Sequence, residues 1–149
     1  KLVSVEMIEA VGHQYLPTFF QCCDRLLRPG GKMLLQAIMT SDDHYQQYLK
    51  NIDFIRAYIF PGGSLPCFGE IDRHTSNLTE LKVTEREDIT PHYAGTLRSW
   101  LSRFEDRLQE IRKLGFDERF IRIWRYYLCY CEAGFSERHS TTEQILFVK

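Results

Sequence analysis

The run Met33-Leu34-Leu35-Gln36-Ala37-Ile38-Met39 constrains the fold more than any other segment. It has strand length and no charge, which predicts a strand covered on both faces. The residues before it decide what kind of sheet it joins. Leu2 to Val5 reads as a short buried strand that ends at Glu6, and Glu9-Ala10-Val11-Gly12-His13 reads as a loop beyond its carboxyl end. Tyr15 to Leu27 then carries apolar residues at 15, 16, 19, 20, 23, 26 and 27, which is helical spacing, and Arg28-Pro29-Gly30-Gly31 stops the helix. Strand, helix and strand in this order form a βαβ crossover. That unit demands parallel strands with helices on the sheet faces, so the expected class is α/β.

From Thr40 the pattern changes. Ser41-Asp42-Asp43 is an N-cap signal for a helix over about 42–58, with Tyr45, Tyr48, Phe54 and Tyr58 along one side and Phe60-Pro61-Gly62-Gly63 at its end. A shorter helix is expected around Cys67–Thr75. Such a segment is too long for an ordinary connection, and long insertions at the carboxyl ends of strands are usually lids or binding walls. The aromatic stripe itself reads more readily as core. Leu81–Thr84 resumes strand character, and Thr90-Pro91 opens a helix over about 91–113 that Gly115 breaks. A second helix is expected over about 117–133, and Glu143–Lys149 is a terminal strand.

Composition narrows the function classes. The 149 residues hold 19 basic and 20 acidic groups, with 44% hydrophobic and 13% aromatic residues, as in a globular domain rather than a disordered chain. No apolar run approaches the ~18–20 residues of a membrane span. Residues 98–125 are locally basic through Arg98, Arg103, Arg107, Arg112, Lys113, Arg119, Arg122 and Arg125, which reads as a solvated helix face, and no nucleic-acid partner is expected. Cys22, Cys23, Cys67, Cys129 and Cys131 lack ligand spacing, so no metal is expected and reduced, buried thiols in a cytoplasmic compartment are. The chain enters an apolar strand directly from Lys1, without Met, and is expected to be a piece of a longer protein.

In an open parallel sheet, ligands sit beyond the carboxyl ends of the strands. That selects Glu6 and Glu9 after the first strand, and Gln36, Ile38 and Thr40 at the end of the second. Glu9 stands out because Met7, Ile8, Ala10 and Val11 surround it in sequence; desolvation there favours the neutral carboxyl. An exposed loop glutamate is the equal alternative. His13 and His92 are candidate acid–base groups, although loop histidines are more often simply solvated. Tyr93 sits near a helix start, where an ordinary core tyrosine is the plainer reading. No Gly-rich phosphate loop and no Ser–His–Asp spacing occurs.

Five segments then match a known family. They are Ser4-Val5-Glu6-Met7-Ile8-Glu9-Ala10-Val11-Gly12, Leu34-Leu35-Gln36-Ala37-Ile38, Tyr58-Ile59-Phe60-Pro61-Gly62-Gly63-Ser64-Leu65-Pro66, His92 to Trp100 and Tyr126 to Phe135. Together they resemble the cyclopropane-fatty-acyl-phospholipid synthases, a group that includes the mycolic acid cyclopropane synthases. The resemblance covers the carboxyl-terminal half of such enzymes. It implies that residues 1–149 are part of one class I, Rossmann-like methyltransferase domain. They would supply strands four to seven of its sheet, the last antiparallel and slotted between its neighbours. The insertion at about 41–77 would form a lipid-binding wall, and most of the S-adenosylmethionine site would lie upstream of Lys1.

The resemblance also implies a reaction. A methyl group passes from the sulfonium to a cis double bond in a phospholipid acyl chain, and loss of a proton to bound bicarbonate closes a cyclopropane ring. Glu9 and Tyr93 match the family's ligands of that anion, with Val5 contributing through its backbone and Ile38 lying beside it. Gln36 is a departure, because bacterial members commonly have His there, and an amide cannot titrate. It leaves open a relative that makes a branched fatty acid or methylates a small amine. An isolated, non-catalytic piece is a further alternative. Peripheral membrane contact is expected, as is pairing or swapping between two copies through the Leu2–Val5 edge.

Overall fold

The structure, a computed structural model, describes residues 1–149. The chain forms two compact units, Lys1–Ile89 with Ser140–Lys149, and Thr90–His139. The first unit holds a four-stranded sheet: β1 (Leu2–Val5), β2 (Lys32–Thr40), β3 (Lys82–Asp88) and β4 (Ser140–Val148), in the spatial order β1-β2-β4-β3. β1 runs parallel to β2, with Val5 opposite Gln36, while β4 lies antiparallel between β2 and β3. This is the arrangement that the family resemblance implied and that periodicity alone did not fix.

Helix α1 (Leu16–Leu26) makes the βα crossover, with Pro17 in its first turn. It turns Leu16, Phe20 and Cys23 inward, and Phe20 meets Phe147 of β4 at 6.3 Å between ring centroids. After α1, the turn is zipped to the end of β4: Gly30 donates to the Lys149 carbonyl and Lys149 donates to that of Gly31. The core continues through Met33, Leu35 and Ile145, all fully buried, and Ile71 of α4 (Phe68–Leu78). Each such side chain contributes roughly 1.5–3 kcal/mol by leaving water.

Burial along β2 alternates within residues 1–149: Met33, Leu35, Ala37 and Met39 are buried, whereas Leu34, Gln36 and Ile38 are only half-buried. Beside them on that second face Val3 and Val5 are 66% and 56% exposed. Within these residues one face of the apolar run is sealed and the other, rich in Leu and Ile, is half-buried.

The expected helix over 42–58 is also broken in two, α2 (Asp42–Lys50) and α3 (Phe54–Tyr58). Asn51 is extended, and the Asp53 carboxylate caps the new helix by accepting from the Arg56 backbone N–H at 2.8 Å. The Arg56 guanidinium folds back and donates to the carbonyls of Tyr48 and Asn51, closing the end of α2. Local side-chain bonds thus stabilise a break that the aromatic spacing hid.

The second unit is helical: α5 (Thr90–Asp106), α6 (Leu108–Lys113) and α7 (Glu118–Ser136). The chain breaks at Arg107, so the expected single helix over 91–113 is two. Gly115 follows with φ +94°, a left-handed position that suits glycine at a helix end. α5 packs on α7, burying Leu97, Leu128 and Phe135, and Asp117 caps α7 through the Phe120 N–H. Four of the eight basic groups over 98–125 are paired with acids, Arg98 with Glu132, Arg107 with Glu110, Arg112 with Glu118 and Arg125 with Glu105.

Candidate active site

β1 and β2 bring Val5, Glu6, Glu9, Gln36 and Ile38 to one place at their carboxyl ends. β1 stops at Glu6, whose φ of +50° turns the chain out of the sheet. A 3₁₀ turn over Ile8–Ala10 then carries Glu9 back toward β2, anchored by fully buried Ile8. The Glu9 Oε1 accepts a hydrogen bond from the Ile38 backbone N–H at 2.6 Å. Its Oε2 is buried and has no hydrogen-bond partner. Burial pushes the Glu9 carboxyl above its usual range, against the opposing pull of the Ile38 N–H, and nearby Glu6 adds to the rise. Ile38 thus reaches the site by holding Glu9.

The insertion is tied to the Glu9 backbone. Ser64 donates its backbone N–H to the Glu9 carbonyl at 2.8 Å, and Thr40 donates to the Pro66 carbonyl at 3.0 Å. Leu65 donates to the Tyr48 hydroxyl at 2.9 Å, tying the same loop to α2. Gly63 closes that loop's own turn, donating to the Phe60 carbonyl at 2.9 Å, where a Cβ would lie 3.0 Å from the same oxygen. The Phe-Pro-Gly-Gly-Ser-Leu-Pro segment therefore positions Glu9 through the backbone.

Gln36 is held from two sides. Its Nε2 donates to Glu6 Oε1 at 2.8 Å, and its Oε1 accepts from Gln144 Nε2 at 2.8 Å. Sequence reasoning selected Glu6 at the strand end but gave it no role, and it missed Gln144 entirely. The signal for Gln144 is its register directly opposite Gln36, which only the antiparallel insertion of β4 creates.

The remaining candidates belong to other elements. Tyr93 lies in the helical unit, half-buried, with its ring 4.8 Å from that of Phe135. His92 is exposed on the same helix. The His13 Nδ1 shares a 2.7 Å hydrogen bond with the hydroxyl of buried Tyr45. Near that pair, His74 is buried against Glu70 at 3.3 Å, and burial lowers its pKa, while the Arg73 guanidinium holds Glu70 low. Cys23 and Cys67 are buried thiols pushed up to about 11 and about 12 by burial, whereas Cys129 is exposed, contrary to the expectation that all five are buried. Two shallow concavities of about 440 and 350 Å³ lie along β3–β4 and beside α2; neither is lined by Glu9 or Gln36. No helix is long and apolar enough to cross a membrane.

A family model described as mycolic acid cyclopropane synthetase matches residues 1–145. The chain is 44% identical over 134 residues to the tuberculostearic acid methyltransferase UfaA1 of Mycobacterium tuberculosis, covering 90% of this chain and 31% of that protein. It is 33% identical over 148 residues to the cyclopropane-fatty-acyl-phospholipid synthase of Escherichia coli, covering 99% of this chain and 37% of that one. The solved structure of mycolic acid cyclopropane synthase CmaA1, complexed with SAH and CTAB, superposes with a TM-score of 0.87 at 28% identity, over 99% of this chain and 54% of that chain. The chain thus spans about a third of the curated relatives and about half of the solved one.

Proposed function

Because this chain belongs to the mycolic acid cyclopropane synthetase family, we propose that the full-length protein modifies the cis double bond of an unsaturated phospholipid acyl chain, using S-adenosylmethionine, to form a cyclopropane fatty acid. One observation carries the reading: a desolvated carboxyl, Glu9, is held by Ile38 at the strand ends with one buried oxygen unpartnered. An orphaned acceptor or hydroxyl of this kind suits a small polar ligand in apolar surroundings. When bound, S-adenosylmethionine supplies the methyl group and bicarbonate the anionic base.

This chain's own groups prepare that end of the site. The Glu9 carboxyl, whose pKa burial raises, would hold an anion through Oε2, and the backbone of Val5 would be a further ligand in this reading. Gln36 orients through its amide and cannot itself take the proton. The insertion α2–α4 serves as the wall for the acyl chain, in peripheral contact with the membrane that presents it, and its apolar surfaces keep water from a developing cation.

A second reading is favoured by the 44% identity to a tuberculostearic acid methyltransferase together with the untitratable Gln36: the same methyl transfer ending in a methyl-branched chain. Mass spectrometry of lipids from cells expressing the full-length protein tests both. A gain of one methylene with ring-diagnostic fragmentation supports the first, and branch-diagnostic fragmentation supports the second. Unchanged lipids alongside a methylated small amine would overturn both.

A further inference from the structure

Glu6 is the more unusual of the two strand-end carboxylates. It is one of two non-glycine residues with positive φ, at +50°, a conformation that costs an L-residue free energy and persists where surrounding bonds enforce it. Two of its bonds run to the same residue. Its backbone N–H donates to the Gln36 carbonyl at 2.9 Å, and its carboxylate accepts from the Gln36 side chain at 2.8 Å. Gln36 meets Gln144 on its other side.

The three side chains form a directed series. An ionised carboxylate can only accept, so Gln36 must turn its nitrogen toward Glu6. Its oxygen then faces β4, where Gln144 meets it with a donor. An amide can present either a donor or an acceptor to β1. The charge on Glu6 selects one. We propose that Glu6 is a positioning residue: through its left-handed backbone and carboxylate it locks the Gln36 amide, with Gln144, in the one orientation used beside Glu9 and Ile38. The step from that orientation to turnover rests on the function proposed above; the lock itself does not.

Three variants of the full-length protein test it. Glu6→Gly relieves the backbone and deletes the carboxylate, so it folds with an unchanged or higher Tm. In the wild type, the Gln36 side-chain amide, assigned in ¹⁵N NMR spectra by its loss in Gln36→Leu, is protected from exchange. In Glu6→Gly that protection collapses, and kcat falls about tenfold at unchanged KM for S-adenosylmethionine. In the Gln36→Leu background, adding Glu6→Gly changes kcat no further, because Glu6 acts through Gln36. An unprotected wild-type amide, protection that survives Glu6→Gly, or two kcat losses that multiply in the double variant would each overturn the proposal. A wild-type protein that leaves acyl chains unmodified would defeat the function reading instead, while amide protection would still decide the lock.

Discussion

Leu34 and Leu35 are neighbours on β2 and belong to opposite faces of the sheet. The Leu35 face is sealed by α1 and α4 and is apolar almost throughout, with Met33, Ile145 and Phe147 around it. The Leu34 face mixes half-exposed apolar side chains with the Glu6–Gln36–Gln144 series and leads to Glu9 at its carboxyl end. One strand thus does two jobs by alternation: odd positions hold the fold, and even positions with the loop beyond carry the polar groups. Stability and chemistry should therefore separate by parity, and that separation can be broken.

The largest effect belongs to the sealed face. Leu35→Ala should cost about 2–5 kcal/mol in chemical denaturation, the range for a fully buried leucine. Next comes the loop beyond the open face. Glu9→Gln in the full-length protein should keep S-adenosylmethionine binding and lose about 10²-fold in turnover, the scale of a positioned acid–base group. Leu34→Ala should cost only about 1 kcal/mol, since that side chain is half-buried. Smallest is Val5→Thr, at a side chain that residues 1–149 leave largely exposed, within about 0.5 kcal/mol of wild type. Equal costs at Leu34 and Leu35 would abolish the distinction.

Much of this was legible in the residues, and the failures are specific. Strand, helix, breaker and strand over residues 2–39 followed from spacing and turn chemistry, as did the terminal strand. The alternation along β2 did not, because Leu34 and Ile38 are as apolar as their buried neighbours and burial depends on what packs against each face. The break at 51–53 depends on Asp53 and Arg56 bonding to backbone, which no periodicity registers. The burial of Glu9 was one of two readings that its apolar sequence neighbours left equal. Gln144 could not be found, since a partner 108 positions away is set by the β4 insertion.

Glu9 links stability to pH with a definite sign. Its folded-state pKa is raised, so the native state holds the proton more tightly than the unfolded chain. Its contribution favours folding below the ordinary glutamate range and is lost as pH rises from that range through the folded value. Glu9→Gln should flatten that part of the stability curve in denaturation series across pH, while turnover falls. A variant whose curve keeps the wild-type slope would place the dependence on another group.

The central claim is that Glu9 is a desolvated carboxyl waiting for a polar ligand. A ¹³C NMR titration of its side-chain carbon in the full-length protein tests this most directly. The account predicts a midpoint above the ordinary glutamate range that moves when bicarbonate is added. A midpoint at or below that range, indifferent to bicarbonate, would contradict it.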